Sequence, residues 1–473
     1  MSVGNNIRKA YNYMKKNGLR ETIFASIERI DQNNAVYEFA DIDDETWTKQ
    51  REARFDIRTR FSIVVPMYET NKLFASAMIR SVLEQSYPTF ELIIADASSS
   101  NVVEEVVRSF EDDRITYLRM TDNRGISGNT NAAIDVASGH YIGLLDHDDL
   151  LTRDALYEMA RKIEQAGKDG IRYAFVYSDE DKCDMAAEKF FEPNYKPGFN
   201  LDLLLSNNYI CHFMVMEAKL IKKLKLRSEY DGAQDHDLIL RAYRATDKPV
   251  GKVDKVLYHW RCHDESTAAN PTSKDYAYEA GRRAIQNYLD TGNMSGAVIP
   301  TKHNGFFRVV YGSLSGKNGE INSGTGAPEI CDIFKNRFDI GVVGGPLIRR
   351  NRITGGMIDK TGTCPLDGVN INYSGYMHRN ILQQDVYAVD VRCMYIRSEL
   401  AEVFNEVASQ PKYAGILNQD LSNKKGDIID ISSKIEAAGT DENLLLDMSV
   451  EFCVKAGLEG YLIFYEPNMG EMI

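Results

Sequence analysis

Between Arg60 and Asp146, short β-branched runs alternate with stretches of helical periodicity. FSIVVP, FELIIAD, ITYLRM and YIGLLD have the length and composition of buried strands, while KLFASAMIRSVLEQS, NVVEEVVRSFED and GNTNAAIDVAS repeat apolar residues at helical spacing. This alternation restricts the fold sharply. Each helix must bury an apolar stripe, and a crossover returns the chain to a strand parallel to the last, giving an α/β sheet covered on both faces. Ligands of such sheets sit beyond the carboxyl ends of the strands. Polar clusters fall at those ends: Pro66-Met67-Tyr68-Glu69, Asp96-Ala97-Ser98 and Asp146-His147-Asp148.

At 473 residues the chain exceeds one ordinary core, so two or three domains are expected. Apolar content of 43% and charged content of 26% fit a globular protein in water. A net charge of −13 argues against nucleic acid, whose phosphates demand a surplus of Lys and Arg. No charged, apolar leader is readable and no apolar run reaches about 18 residues, so cytoplasmic residence is expected. Seven scattered cysteines without a CxxC pair read as reduced, mostly buried thiols.

Residues 1–58 read as a helical arm closed by a polar join, DIDDETWTKQREARFDIRTR. Contact of its basic face (Lys15, Lys16, Arg20) with a membrane surface competes there with a simple solvated face. Residues 59–300 form the main α/β domain, 301–329 a linker rich in Gly, Ser and Asn, and 330–473 a C-terminal lobe. In the lobe, YAVDVRCMYIRSEL echoes YICHFMVMEAKL, and LLDMSVEFCVKAGLEGYLIFYEP echoes AQDHDLILRAYRATDKPVGKVDKVLYH; each pair follows a strand-like opener, DIGVVGGPLI or YAFVYSDED. The echo predicts a repeated half-domain without counterparts of the strand-end clusters.

Carboxylates one residue apart at a strand end suit a hard divalent cation that leaves positions open for phosphate oxygens. Asp148, supported by Asp146, is the candidate for metal and ribose. The competing reading is a capped turn into TRDALYEMARKIE, with Asp149 or Thr152 as the cap. Asp96 could accept the imide N–H of a uracil or thymine ring. DNRGISGNTN, with Asn123, Gly125, Gly128 and Asn131, offers a phosphate or base edge leading into a helix. In GAQDHDLILR, Asp235 reads as a general base, or Asp235 or Asp237 as an N-cap. In YHWRCHDEST, Arg261 could hold phosphate oxygens and a histidine could complete a metal shell, His263 being the candidate beside His259.

Taken together, SIVVPMYE, ELIIADASS, NRGISGNTNAAIDVASGHYIGLLDHDDLL and QDHDLILR resemble the family-2 glycosyltransferases of GT-A fold. The pattern YSDEDK, KP, NNYICHF, QDHDL, YHWRCHDEST is similar to that of bacterial members that build surface polysaccharides, often rhamnose-rich. The resemblance covers about residues 60–290, and residues 337–467 resemble the acceptor-side half of a second such domain. It implies a Rossmann-like nucleotide-binding sheet with a mixed acceptor half. It also implies Asp148 as metal ligand, Asp146 as ribose or metal contact, Asp96 as base reader and Asp235 as catalytic base. Pro66, Tyr68, Glu69, Ser98, Asn123, Gly125, Asn131, His147 and Arg261 would line the nucleotide-sugar side.

The implied activity is inverting, Mn²⁺- or Mg²⁺-dependent transfer from a UDP- or dTDP-linked sugar to a glycan or lipid-linked acceptor. Peripheral contact at the inner membrane face and a homo-oligomer are compatible with it. Two departures stand out. Gln234 replaces a frequent Glu, and DMSVEFC places Ser449 and Glu451 where a second active centre would want paired Asp. A sugar nucleotidyltransferase would want a Gly-rich basic loop where this chain has PMYETNK, and an inactive glycan-binding or assembly protein would not need Asp96, Asp146, Asp148 and Asp235.

Overall fold

The computed structural model describes residues 37–262, 275–312, 327–421, 428–469 and 471–472. They divide into two compact units: one comprises Ala35–Phe199 and Asn208–Tyr288, and the other includes Asn200–Asn207 and Leu289–Ile473.

In the first unit the expected alternation is realised. The strands β1 (Phe61–Met67), β2 (Phe90–Asp96), β3 (Ile115–Arg119) and β4 (Tyr141–Leu144) stand in the order β3-β2-β1-β4, all parallel. Helices Lys72–Leu83, Val102–Arg108 and Gly125–Val136 form the crossovers. Ile63, Val64 and Val65 of β1 are completely buried because both sheet faces are covered, which explains why the run lacks a polar alternation. Ala75, Met78, Ile79 and Val82 occupy one helical stripe and join the β1 and β2 side chains in a single core. Burying each of the larger side chains stabilises by roughly 1.5–3 kcal/mol.

Past β4 the sheet becomes mixed. It continues through β8 (Met214–Glu217), β6 (Phe175–Cys183) and β9 (Gly251–Arg261) to the short β5 (Leu150–Leu151), with β7 (Phe190–Asn194) paired to β6. β8 is antiparallel to β4 and β6, whereas β6 and β9 run parallel. The β6–β9 register shifts between Ser178 and Asp179 and again between Asp179 and Glu180. Such bulges re-aim side chains, and here they do so at Glu180.

The polar join is not all loop: Asp44–Glu52 is a helix whose N-cap Asp43 accepts a hydrogen bond from the Thr46 N–H at 2.7 Å. Trp47 anchors it by donating from Nε1 to the Glu84 carbonyl at 2.8 Å. Its low hydrophobicity concealed a helix that capping and one aromatic hold in place. Residues 1–36, and with them the basic face of the arm, lie outside the described residues.

The second unit has a five-stranded sheet among the described residues, in the order Gln384–Asp385, Leu462–Tyr465, Ile340–Gly344, Met394–Arg397, Ile428–Asp430. Its central strand is parallel to Leu462–Tyr465 and antiparallel to Met394–Arg397. β6 has the same relation to β9 and β8, and in both units a helix precedes the parallel partner: Gln234–Arg244 and Glu442–Leu458. Two boundaries differ from expectation. Gly296–Pro300 and Phe307–Tyr311 form an antiparallel hairpin where the linker was expected to begin, because Val298, Phe307, Val309 and Tyr311 have an apolar face to bury. The helix Leu201–Ser206 belongs to the second unit: Leu203, Leu204 and Leu205 are buried, and Asp202 pairs with the buried Arg337 guanidinium, at 3.0 Å from Nη2.

Candidate active site

At the carboxyl end of β1 the chain turns through Glu69, whose φ of 48° is left-handed. The Glu69 N–H donates to Ser98 Oγ at 2.8 Å, and Glu69 Oε1 accepts from the Ser99 N–H and hydroxyl, both at 2.7 Å. Those bonds from Ser99 hold the Glu69 carboxyl below its ordinary range. The turns after β1 and β2 are thereby zipped together. Pro66 is partly covered, and Tyr68 stands 54% exposed beside it.

Asp96, fully buried, spends both oxygens inside the protein. Oδ1 accepts from the Ser98 N–H at 2.9 Å, and Oδ2 from the Tyr117 hydroxyl at 2.7 Å and Arg119 Nη1 at 3.3 Å. Burial, reinforced by Asp96, pushes the Tyr117 phenol up to about 12, so it remains a donor. In the next loop, Asn123 Oδ1 accepts from the Gly125 N–H and Asn129 Nδ2, each at 3.0 Å. Asn131 exchanges two hydrogen bonds with the Leu226 backbone. These side chains therefore organise the loop that follows β3 and the helix it leads into.

The acidic run after β4 divides its labour. Asp149 is buried: Oδ2 accepts from the Tyr258 hydroxyl at 2.5 Å and Oδ1 from the Arg261 N–H at 2.7 Å, tying the run to β9. Burial and the neighbouring Asp148 and Asp146 carboxylates push its carboxyl well up. Neither Asp149 nor Thr152 caps the following helix; its N-cap position is Asp154, to which Thr152 donates at 2.9 Å. Asp146 and Asp148 are partly open, with side chains 48% and 20% exposed. Partial enclosure raises the Asp146 carboxyl, with His212 opposing and the Asp148 and Asp235 carboxylates adding to the rise. His147 Nδ1 lies 3.8 Å from Asp148 Oδ1.

The histidine set beside this run is His212, with Nε2 3.8 Å from Asp146 Oδ2. His263 lies outside the described residues. His212 Nδ1 is 3.2 Å from Glu180 Oε2, which also accepts from Lys196 Nζ at 3.0 Å. Lys196 further donates to the Ile210 carbonyl at 2.8 Å and to that of His212. Burial alone would depress the imidazole, but Cys211 and Glu180 hold it well above its ordinary value. Donor atoms of Asp146, Asp149 and His212 lie within 4.8 Å of one another. Both Asp149 oxygens already accept hydrogen bonds, so within that trio Asp146, its side chain 48% exposed, is the carboxylate with more room for a hard cation.

Asp235 stands in the first turn of helix Gln234–Arg244, where the positive end of the helix favours a carboxylate. The N-cap position is Ala233, so neither Asp235 nor Asp237 is the cap. Asp237 is buried and paired with Arg227 and Arg241, a structural role. Asp235 is half-buried; its Oδ2 accepts from Asn208 Nδ2 at 2.8 Å and from the Cys211 thiol at 3.4 Å. Cys211 Sγ is also 3.1 Å from His212 Nε2, which links the base candidate to the acidic run.

Arg261 is buried, donating from Nε to the Asp148 carbonyl and from Nη1 to that of Met185, both at 2.6 Å. Its guanidinium lies 4.9 Å from the Phe74 ring centroid, and Nη2 is buried with no partner among the described residues. His259, beside it in sequence, bonds to Asp181 at 2.5 Å, a buried structural pair. Sequence reasoning gave no role to Asn208, Cys211, His212, Glu180 or Lys196. They stand in YSDED, KP and NNYICHF, and only an assigned partner for each would have singled them out.

Residues 62–225 match the family model described as Glycosyl transferase family 2, a span that runs from β1 past β8 and ends before Asp235. The chain is 38% identical over 269 residues to the uncharacterized protein y4gI of Sinorhizobium fredii, covering 54% of this chain and 29% of that protein. It is 30% identical over 248 residues to the O-antigen biosynthesis protein RfbC of Myxococcus xanthus, covering 52% of this chain and 19% of RfbC. The chain thus spans less than a third of either relative's length. Among solved structures, S. aureus TarS 1-349 in complex with UDP has a TM-score of 0.38 and 18% identity, covering 49% of this chain and 65% of that one.

Proposed function

Through residues 62–225 the chain belongs to glycosyl transferase family 2, with a GT-A-like α/β sheet, and on that premise we propose that it is an inverting sugar transferase of surface polysaccharide synthesis. The donor is a UDP- or dTDP-linked sugar and the acceptor a glycan or lipid-linked glycan, reached by peripheral contact with the inner membrane face. Similarity to an O-antigen biosynthesis protein supports the pathway class. Among the described residues no helix is long and apolar enough to cross a membrane.

The observation that carries the mechanism is the convergence of Asp146 with Asp235 around His212: Asp235 binds Cys211, Cys211 lies against His212, and His212 faces Asp146. Asp235 takes the proton of the acceptor hydroxyl as its oxygen attacks the anomeric carbon, and the nucleoside diphosphate leaves from the opposite face. Arg261 Nη2, without a partner among the described residues, is a buried, charged donor suited to a diphosphate oxygen. Asp146 and Asp148 have the donor chemistry to hold Mn²⁺ or Mg²⁺, which when bound neutralises charge on the diphosphate. Asn208 orients the base, and Lys196 with Glu180 fixes the imidazole between the two carboxylate groups.

A panel of UDP- and dTDP-sugars, assayed for release of the nucleoside diphosphate with Mn²⁺ or Mg²⁺, tests this reading. Release of UDP or dTDP with an inverted anomeric product is expected. Release of inorganic pyrophosphate from a nucleoside triphosphate and a sugar phosphate would instead make the protein a nucleotidyltransferase.

A further inference from the structure

The helix Gly125–Val136 starts against a carboxylate from elsewhere in the chain. Asp231 Oδ1 accepts from the Ser127 N–H at 3.3 Å and, at closer range, from the Ser127 hydroxyl. Ser127 is fully buried. Gly125, with φ of 73°, makes room for this carboxylate, because a Cβ there would stand 2.7 Å from Asp231 Oδ2. The helix start expected to face a phosphate or base is therefore occupied by the protein's own acid.

One turn along the same helix, Asn131 grips the same distant segment. Its Nδ2 donates to the Leu226 carbonyl at 2.8 Å and its Oδ1 accepts from the Leu226 N–H at 2.9 Å. Ser127 and Asn131 are four residues apart, so they share a helix face. Leu226 and Asp231 bracket a segment that is tight within itself: Tyr230 N–H donates to the Arg227 carbonyl, Asp231 N–H to that of Ser228, and Ala233 N–H to that of Tyr230. Gly232, with φ of 98°, lies so close to helix Asp275–Thr291 that a Cβ would meet Tyr276 Cε2 at 2.8 Å and Ala277 Cβ at 2.9 Å. The Gly232 N–H donates to Gln234 Oε1 at 2.7 Å, and the next residue is Asp235.

We propose that the Ser127–Asp231 contact is a latch that sets the position of Asp235, making Ser127 and Asp231 positioning residues for the transfer. The inference rests on the reading of Asp235 as the base. A base displaced by a fraction of an ångström still permits donor binding but loses the aligned proton transfer. The latch also joins the loop of Asn123 and Gly125, on the donor side, to the segment that carries the base.

The test uses the full chain and the nucleotide, UDP or dTDP, whose sugar supports turnover. Asp231→Ala is expected to lower kcat about tenfold or more, with nucleotide affinity kept within about threefold. Asp231→Asn retains an acceptor oxygen for Ser127 and is expected to recover most of the lost kcat. Should Asp231→Ala fold poorly by its urea midpoint, Ser127→Ala removes only the hydroxyl donor and carries the same expectation in smaller measure. Wild-type kcat in a folded Asp231→Ala or Ser127→Ala protein, an Asn variant as slow as the Ala variant, or loss of nucleotide affinity in step with kcat would each overturn the latch. Asp235→Asn runs in parallel. Turnover retained there overturns the base assignment and with it the latch, whereas a dead Asp235→Asn beside an unaffected Asp231→Ala overturns the latch alone.

Discussion

The imidazole of His212 lies flat on the ring of Tyr258, with centroids 4.6 Å apart and an interplanar angle of 8°. Tyr258 also donates its hydroxyl to Asp149, so one aromatic ring fixes both the imidazole and the root of the acidic run. Two kinds of acid meet at this stack: Asp149, whose oxygens are taken up by Tyr258 and Arg261, and the partly exposed Asp146 and Asp148. The predictions turn on that difference.

Asp148→Ala removes a partly exposed carboxylate and leaves in place the clamp of Asp149 to Tyr258 and Arg261. The fold should persist, with an unfolding midpoint close to that of the parent, while metal-dependent binding of the donor nucleotide and transfer are lost. Calorimetric titration with UDP or dTDP, with and without Mn²⁺, reads the outcome. Undiminished transfer by this variant, or full activity after exhaustive chelation, would end the metal assignment.

Asp149→Ala should behave in the opposite way. It leaves the buried Tyr258 hydroxyl and the Arg261 N–H without their acceptor, at a cost of about 1–3 kcal/mol for each unsatisfied group. Urea denaturation should show a clear loss of stability, and an unchanged midpoint would contradict the clamp.

Asp235→Asn preserves shape and removes the proton acceptor. Nucleotide affinity should persist while turnover falls by roughly two orders of magnitude or more. Near-normal turnover would reduce Asp235 to a favourable charge at a helix start.

Glu180 supplies a pH prediction. Burial alone would raise its carboxyl, but the Lys196 ammonium and His212 bring it from 4.5 down to about 2. A depressed carboxyl stabilises the fold above its unfolded value, and that contribution is lost as pH falls from about 4.5 through about 2. It amounts to at most about 3 kcal/mol. Glu180→Gln should therefore flatten the acid limb of the stability curve across that window, as followed by urea titrations at successive pH values. An acid limb identical to the parent's would show that Lys196 and His212 do not hold the carboxylate.

The second unit should not catalyse. Glu451, in the position echoing the base motif, accepts from Gln410, from the Tyr413 hydroxyl at 3.2 Å and from Lys412 at 2.9 Å, a local tether beside a helix. We expect one nucleotide site per chain, and Glu451→Ala should leave kcat largely unchanged. A stoichiometry near two, or a folded Glu451→Ala protein without activity, would reverse this expectation.

The parallel half of the first sheet and its strand-end acids were legible in the sequence because they depend on local order: apolar runs, helical spacing and polar residues closing each strand. The echo between the two segments was also visible as local order, and in both units the strand that follows the helix pairs in parallel with a strand whose other neighbour is antiparallel. Tertiary structure alone decided which acid does what. Asp146, Asp148 and Asp149 are nearly equivalent as letters, but only Asp149 points under β9, where Tyr258 and Arg261 take up its oxygens. Glu180, Lys196 and His212 come from separate segments and meet only because β6 bulges and β8 pairs beside it, a long-range register that no local window contains. The assignment of Leu201–Ser206 to the second unit is of the same kind: a short apolar helix can be read from its residues, but the core that buries it is chosen by the whole chain, through contacts such as Asp202 with Arg337.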